Sequence, residues 1–284
     1  MDFIDNSMNK APWALDDEGV LYINADADYY TRESPSPWFS MRSRIKKLVI
    51  ADGVTKIGRY AFYKCAALES VELPDSLVQI EEGACGRCTA LEYVRLPASV
   101  TKIAEGLFAR CKALREVYIP ETVTELGDSV FFGCESLARI SLPASLSRIG
   151  SFCFDGCLSL AELRLPENLT EISDRAFHGC AALEHVIIPN SLQKLGPYVF
   201  SGCTGLKSVS IPDTIKEIGC CSFDGCTALE SVLIPASIEK IDAYAFYKCS
   251  ALEKLLYTGT PEQWNSISIG SSNEAINSAQ IIFA

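Results

Sequence analysis

The sequence has few of the residues and motifs on which catalysis most often depends. Only two of its 284 residues are histidine, His178 and His185, and their spacing does not allow the zinc motif H-E-x-x-H. No two glycines are spaced as G-x-G and no G-x-S-x-G segment occurs, so the dinucleotide-binding fingerprint and the nucleophile elbow of serine hydrolases are both missing. We therefore expect a protein that is not an enzyme and that binds no cofactor.

Long apolar runs and positive charge are scarce as well. No apolar stretch approaches the ~20 residues of a membrane helix, so we expect no membrane insertion. The chain has 25 Lys and Arg residues against 36 Asp and Glu residues, a formal net charge of -11, which argues against nucleic acid as a partner. The N-terminal segment MDFIDNSMNK has neither the basic nor the apolar region of a signal peptide, so a cytoplasmic location is not excluded.

Cysteine, in contrast, is abundant and evenly spaced. Nine of the 13 cysteines recur every 23 residues, and a proline and a leucine (Leu68 in the first complete unit) recur with the same step. A period in the twenties with an L-x-x-[VIL]-x-[LI] core is the signature of a leucine-rich repeat. The nine residues, called the ladder cysteines below, are Cys65, Cys88, Cys111, Cys134, Cys157, Cys180, Cys203, Cys226 and Cys249.

Each unit has the pattern of a short strand followed by a turn. In the segment LESVELP, the apolar residues Leu68, Val71 and Leu73 predict a strand with one face inward. Pro74 ends that strand because it has no N–H to give to a ladder. The segment GRYAFYKC is predicted to form one helical or 3₁₀ turn with Phe62 inward, and the glycine that often precedes the cysteine fits a left-handed residue at the end of the turn.

One such unit cannot fold alone, because its few inward side chains do not offset the entropy lost in ordering 23 residues. Stacked units solve this problem because each one covers the core of its neighbour. The sequence therefore predicts an α/β-type repeat solenoid, a leucine-rich repeat superhelix. Ten parallel strand segments, from Lys47 to Lys254, form its concave face, and short strands with 3₁₀ or helical turns lie on the other side.

The repeat, L-x-x-V-x-[LI]-P-x-[ST]-[LVI]-x-x-I-G-x-x-A-F-x-x-C, resembles that of the BspA-like leucine-rich repeat family over residues 45–257. The segments on either side resemble the caps of those proteins, and they hold the three tryptophans, Trp13, Trp38 and Trp264. We thus predict an N-terminal cap at 1–44, a repeat array at 45–257 and a C-terminal cap at 258–284. The resemblance implies a bacterial surface or secreted protein that binds host proteins or cells, and hence an extracellular or cell-surface location.

The ladder cysteines are expected to lie buried and reduced at a crowded corner of each unit, because a thiol is compact, apolar and a weak donor. A disulfide or metal ladder is the alternative, although nine equivalent positions cannot pair completely. The segment CGRC, from Cys85 to Cys88, is the one C-x-x-C, and with no second one it does not complete a zinc site, so we expect no metal. Cys220 and Cys221 fall outside the ladder and are expected to be exposed and the most reactive thiols.

Strand residues between the inward positions vary from unit to unit and are predicted to line the concave face. Tyr and Arg, which are enriched at binding hot spots, are concentrated in its middle. The alternatives are a solvated sheet of ordinary strand-forming residues and a second strip in the turn, at Tyr60, Phe152, Tyr198 and Tyr244, for which packing between units is the simpler role. The candidate ligand-binding residues on the concave face are Tyr93, Arg95, Tyr118, Arg139, Arg164, His185 and Ile187.

The sequence thus favours a monomeric, non-enzymatic binding scaffold that recognises a protein or a glycan through its concave face. The candidate set contains three arginines, and the two glutamates on the same face, Glu116 and Glu162, leave a local excess of positive charge. This excess favours an acidic or sialylated partner. The alternative is a structural spacer within a larger surface protein, with no ligand of its own. A coherent patch of binding residues on the concave face would distinguish the scaffold from the spacer.

Overall fold

A computed structural model describes residues 11–27, 30–31 and 34–283 of the chain. It is a parallel-strand solenoid of about 11 turns with few helices, as the repeat predicts. The segment MDFIDNSMNK and four further residues of the predicted N-terminal cap (28–29 and 32–33) lie outside the described residues. The structure therefore does not test the prediction about a signal peptide.

Two columns of parallel strands and one column of turns run the length of the solenoid. A 3₁₀ helix spans Phe39–Met41, and the helices α1 (Pro261–Ser266) and α2 (Glu274–Ser278) lie near the C-terminus. Among the described residues, no helix is long and apolar enough to span a bilayer. In chain order the strands of the described ranges are β1 (Trp13–Leu15), β2 (Val20–Ile23), β3 (Lys47–Ile50), β4 (Lys56–Ile57), β5 (Ser70–Glu72), β6 (Gln79–Ile80), β7 (Tyr93–Arg95), β8 (Lys102–Ile103), β9 (Glu116–Tyr118), β10 (Glu125–Leu126), β11 (Arg148–Ile149), β12 (Glu171–Ile172), β13 (His185–Ile187), β14 (Lys194–Leu195), β15 (Ser208–Ser210), β16 (Glu217–Ile218), β17 (Ser231–Ile234), β18 (Lys240–Ile241), β19 (Lys254–Tyr257), β20 (Ser268–Ile269) and β21 (Gln280–Phe283).

The main column carries the predicted concave-face strands, each paired in parallel with its equivalent one coil away. The runs are β2-β3-β5, β7-β9 and β13-β15-β17-β19-β21, so strands from both terminal segments extend the array. Two of the ten predicted strand segments differ from the prediction, because Arg139 and Glu162 form only an isolated bridge. Both coils carry alanine directly after the repeated leucine, at Ala138 and Ala161, and alanine is depleted in strands.

The turn column is held by hydrogen bonds that alternate between two directions. The N–H of Phe62 donates to the carbonyl of Ala84 in the next coil at 2.8 Å, whereas the N–H of Cys65 donates three residues back to the carbonyl of Phe62 at 3.1 Å. The segment is therefore a chain of 3₁₀-type turns in which every second donor is used between coils. The residue before the cysteine is left-handed as predicted, for example Gly133 at φ 67°.

Two stacks of recurring side chains, phenylalanine and cysteine, run through the core between the columns. Successive phenylalanine rings from Phe108 to Phe246 are stacked with centroids 5.2 to 5.9 Å apart. The ladder cysteines lie beside them, and the thiol of Cys88 donates to the carbonyl of Phe62 at 3.3 Å. The same bond recurs coil by coil up to Cys249, so the thiol occupies a corner that needs a small side chain with a weak donor.

At the N-terminal end, Trp38 and Asp26 provide the packing and the hydrogen bonds that a preceding coil would provide. The indole of Trp38 stacks on Phe62 at 5.5 Å and donates to the carbonyl of Ala61 at 2.8 Å. The carboxylate of Asp26 accepts from the N–H and the hydroxyl of Thr55 at 2.7 and 2.9 Å. Trp38 thus covers the first core layer and satisfies a backbone acceptor, and Asp26 satisfies backbone donors that would otherwise lack partners.

At the C-terminal end, one buried amide replaces the backbone of the missing coil. The side-chain oxygen of Asn273 accepts from the N–H of Phe246 at 2.9 Å, and its nitrogen donates to the carbonyls of Asp242 and Gly270, both at 2.9 Å. Trp264 packs edge-on against the buried ring of Tyr257 with centroids 5.1 Å apart. These contacts give the terminal segment a covering role, while the three-part division at 44 and 257 remains a prediction.

Candidate functional site

The candidate residues lie on the outward surface of the main column, called the sheet face below. Strand alternation buries Val94 and Val117 in the core and turns their neighbours outward. Side chains of all seven candidates are exposed. Three of them are large and hydrophobic: Tyr93 and Tyr118 are 47% and 44% exposed, and Ile187 is 77% exposed. These seven residues form the sheet-face strip: Tyr93, Arg95, Tyr118, Arg139, Arg164, His185 and Ile187.

The strip contains one preformed contact, between Arg95 and Tyr118. The two residues lie directly opposite each other in the β7-β9 pair, as Tyr93 and Glu116 do beside them. The guanidinium carbon of Arg95 lies 4.3 Å from the centroid of the Tyr118 ring, which is a cation–π geometry. The two side chains therefore present a cation and an aromatic ring side by side, and the exposed ring of Tyr93 extends the same surface.

The other members of the strip share the surface without contacting that pair. Arg139 is the backbone partner of Glu162 in the isolated bridge, and the pairing of the main column is interrupted on either side of it. His185 lies opposite Ser208, and its Nδ1 is 3.0 Å from the serine hydroxyl oxygen. The structure therefore brings the side chains of Arg95 and Tyr118 into contact. Arg164 and Ile187 are exposed on the same sheet face.

The arginines of the strip keep their charge available to a ligand. In the part of the chain that the structure describes, ion pairs within 4.0 Å connect mainly neighbouring coils elsewhere on the surface, such as Lys102 with Glu125 at 3.1 Å and Lys112 with Glu135 at 2.7 Å. Within these ranges no carboxylate forms such a pair with Arg95, Arg139 or Arg164. The strip is locally positive on an otherwise acidic protein.

In the second candidate strip, on the turn column, Tyr60, Phe152 and Tyr198 pack between coils as expected, whereas Tyr244 is 43% exposed. The guanidinium of Arg175 lies between two of these rings, 5.5 Å from the Phe152 ring and 4.6 Å from the Tyr198 ring. The sequence did not predict that this slot is left-handed throughout, with φ of 56° at Tyr60 and 57° at Phe152. Backbone hydrogen bonds between coils, such as that from the N–H of Tyr60 to the carbonyl of Glu82, maintain this left-handed conformation. The type of side chain at this position is therefore determined by packing.

Two open grooves lie away from the sheet face and were not predicted. The first, of about 230 Å³, is walled by Tyr60 and Tyr63 and floored by Gly83 and Gly106. The sequence indicates this groove by glycine in two successive coils, Gly83 and Gly106, at the position that Tyr60 occupies in the first coil. The hydrogen bond from the Tyr60 hydroxyl to the Glu82 carboxylate, together with burial, raises the pKa of Tyr60 to about 12. The second, of about 540 Å³, is lined by residues that include Lys194, Lys216 and Cys220.

The cysteines of CGRC are core residues, in agreement with the prediction. Cys85 takes the phenylalanine position of its coil and is 7% exposed, and Cys88 is fully buried. Burial is the main reason that the pKa of both thiols lies well above the usual value of 9.0. Across the described ranges no group of three or more His, Cys, Asp or Glu residues is arranged to hold a metal; the absence of a metal in the protein remains a prediction.

The prediction that Cys220 and Cys221 are both exposed is wrong for one of them. Cys220 is half-buried, but Cys221 is only 7% exposed. Cys221 occupies the left-handed aromatic slot, at φ 55°, where burial raises the pKa of its thiol. The sequence placed both residues in the correct slots but could not show how deeply the neighbouring coils cover the second.

Comparison with known families decides where the chain belongs. The family described as BspA type leucine rich repeat region matches in six copies over residues 35–157 and 124–253, which together span most of the chain. The chain belongs to the BspA-type leucine-rich repeat family. No curated protein sequence matches this BspA-type protein significantly.

Solved structures share its fold at low sequence identity. A leucine-rich repeat protein from Eubacterium ventriosum is 20% identical with a TM-score of 0.55, covering 95% of this chain and 93% of that one. One from Bacteroides ovatus is 19% identical with a TM-score of 0.52, covering 96% and 97%. The pneumococcal vaccine antigen PcpA is 20% identical with a TM-score of 0.55, covering 84% and 68%. Family and fold together suggest a protein-binding or scaffold role for this BspA-type protein.

Proposed function

We propose that this protein is a non-enzymatic scaffold that binds a macromolecular ligand, a protein or a glycan, through the sheet-face strip. The observation that carries the proposal is the Arg95–Tyr118 contact at 4.3 Å, with the exposed ring of Tyr93 in the adjacent row. Tyr and Arg are the residues that most often dominate binding energy. Because Arg95 and Tyr118 contact each other without a ligand, a ligand that uses this arrangement has fewer side-chain rotations to restrict.

The dimensions of the strip favour an extended ligand. Successive coils of the solenoid are stacked at about the ~4.8 Å spacing of parallel strands, so the three coil-to-coil steps from Arg95 to Arg164 span roughly 14 Å. That length suits a protein loop or an oligosaccharide rather than a small metabolite. The unpaired arginines favour an acidic or sialylated partner, and binding should weaken with added salt because exposed charges are screened.

We also propose that the protein acts as a monomer at the cell surface or outside the cell. PcpA, which has the same fold, is a pneumococcal vaccine antigen, and resemblance to the BspA-like family implies an extracellular or cell-surface location. The net charge of -11 argues against nucleic acid as the partner. Light scattering on the purified chain tests the monomer, and surface labelling of the producing cells tests the location.

The test of binding is a ligand screen on cells and glycan arrays, followed by variants. We expect the double variant Tyr118→Ala/Arg164→Ala to lose most of the binding while its circular dichroism is unchanged. The matched control is Tyr244→Ala/Lys102→Ala, which removes an exposed tyrosine and a cation elsewhere on the surface and should bind normally. A ligand that binds both double variants as well as the wild type would refute the sheet-face strip as the site.

The second candidate is a structural spacer in a larger surface protein, without a ligand of its own. It is favoured by one observation: the two grooves described above lie away from the sheet face. A spacer predicts no ligand in any screen and no effect of the Tyr118→Ala/Arg164→Ala change on the function of the full-length protein. Adhesion of cells that carry the wild-type or the variant protein distinguishes the two candidates.

A further inference from the structure

Two adjacent cysteines, Cys220 and Cys221, depart from the repeat. The equivalent positions hold Pro197 and Tyr198 one coil earlier and Arg59 and Tyr60 in the first coil. Core packing therefore does not require a thiol at either position, in contrast to the ladder. The two sulfur atoms lie 3.4 Å apart, so the thiols are in contact.

The two thiols differ in accessibility. Cys220 lines the open groove of about 540 Å³, whereas Cys221 is buried and does not line it. The other eleven cysteines are buried as well, so Cys220 is the only one of the 13 that a dissolved molecule can reach without opening the solenoid. Thiol reactivity requires access as well as thiolate character.

We propose that Cys220 and Cys221 form a redox-active pair that reacts with low-molecular-weight disulfides, with Cys220 as the attacking thiol and Cys221 as the resolving thiol. Redox-sensitive cysteines are typically solvent-accessible and lie next to a resolving cysteine. The separation of 3.4 Å falls within the roughly 3–3.5 Å of a near-attack geometry. The groove beside Cys220 leaves room for the incoming disulfide.

The reaction proceeds in two balanced exchange steps. The thiolate of Cys220 attacks one sulfur of a disulfide RSSR, which forms a mixed disulfide with Cys220 and releases RS⁻. The thiolate of Cys221 then attacks the Cys220 sulfur, which closes the protein disulfide and releases a second RS⁻. Two protein thiols are oxidised and one small disulfide is reduced to two thiols, and the two protons lost by the protein thiols are taken up by the two RS⁻ groups or by solvent.

The product disulfide is expected to be readily reversible. Adjacent Cα atoms across a trans peptide are 3.80 Å apart, which is shorter than the roughly 4.4–6.8 Å found in ordinary disulfides. Such a strained bond is more easily reduced than a structural one, and labile disulfides of this kind serve regulatory or catalytic roles. The pair therefore behaves as a reversible site and not as a staple.

The groups around Cys220 are mixed in charge. Lys194 and Lys216 line the same groove, and so do Glu217 and Asp242. The two lysines form ion pairs with carboxylates of neighbouring coils, at 3.0 Å for Lys194 with Glu171 and 3.3 Å for Lys216 with Glu239. Cys220 therefore differs from the other cysteines in its exposure to solvent and in its contact with a second thiol. The charges of both signs in the groove give no strong electrostatic bias at this position.

The experiment treats the purified chain with glutathione disulfide and follows the intact mass over time. Wild-type protein should lose two hydrogens and keep no glutathione. The Cys221→Ser variant should instead keep one glutathione on Cys220, because the resolving thiol is gone. The Cys220→Ser variant should react at least about tenfold more slowly, since Cys221 is buried. Cys153→Ser, which changes a buried core thiol, is the control and should behave like the wild type.

Two results would overturn the proposal: wild-type protein that accumulates the glutathione adduct without closing a disulfide, or a Cys220→Ser variant that reacts as fast as the wild type. A measurement that needs no variant covers the case in which a substitution prevents folding. Brief alkylation of native wild-type protein with iodoacetamide, followed by peptide mapping, should label Cys220 first. Labelling that begins at a ladder cysteine would refute the assignment of Cys220 as the accessible thiol.

Discussion

Replacing Phe154 by alanine tests whether the phenylalanine stack stabilises the whole solenoid. Phe154 is fully buried in the middle of the array. Its ring stacks on Phe131 on one side and on Phe177 on the other, with both centroid distances at 5.2 Å. The substitution removes one ring and leaves two neighbouring rings each with an uncovered face.

The expected loss of stability follows from that geometry. Truncating a buried phenylalanine costs about 3–5 kcal/mol, and an aromatic pair contributes about 0.5–1.5 kcal/mol beyond the area it buries. Because two pairs are lost here, we expect a value in the upper part of the range, about 4–5 kcal/mol. Each coil is stabilised by its neighbours, so the cavity should weaken the array as a unit and not one coil alone.

Urea denaturation followed by circular dichroism measures the effect. With a slope of about 3 kcal/mol per molar urea, the midpoint should fall by about 1.3–1.7 M. The control is Leu158→Ala, a change in the next turn of the chain at a side chain that is 50% exposed. It should change stability by no more than about 0.5 kcal/mol. A Phe154→Ala midpoint equal to that of the control would show that the stack is not a stabilising core.

Three further predictions concern the thiols and the two ends of the solenoid. Thiol titration of the native protein should find one reactive group, Cys220, and 13 after denaturation without reductant; four or more disulfides by mass spectrometry would contradict this. Hydrogen bonds from Thr55 lower the pKa of Asp26, so its stabilising contribution is present above the unfolded pKa of about 3.9 and is lost as the pH falls through the lower folded pKa. Asp26→Ala should therefore destabilise the protein in urea titrations at pH 7 and progressively less below pH ~4, and a constant difference would refute the reasoning. Asn273→Ala leaves the N–H of Phe246 without its buried partner and should cost about 1–3 kcal/mol, whereas an unchanged urea midpoint would show that water replaces the amide.

The repeat could be recognised from the sequence because stacking imposes the same environment on every coil. A residue 23 positions further along meets the same neighbours, so the phenylalanine and cysteine positions carry the same side chains again and again. A covering role for residues of the terminal segments, such as Trp38 and Asn273, could also be expected, since the outermost core layer needs a cover, while the cap boundaries stay a prediction. The opposition of Arg95 and Tyr118 followed from the same period, as parallel pairing in register places equivalent positions side by side.

The remaining features depend on contacts that no single coil encodes. The main column is interrupted on either side of Arg139 and Glu162, and the aromatic slot adopts a left-handed backbone even at Tyr60 and Phe152. The burial of Cys221 against the half-exposure of Cys220 likewise depends on how far adjacent coils cover each position. The sequence by itself determined which residues meet between coils, because the period sets the register. Only the tertiary structure decided how deeply each residue is buried and where the ladder breaks, because both depend on the combined packing of several coils.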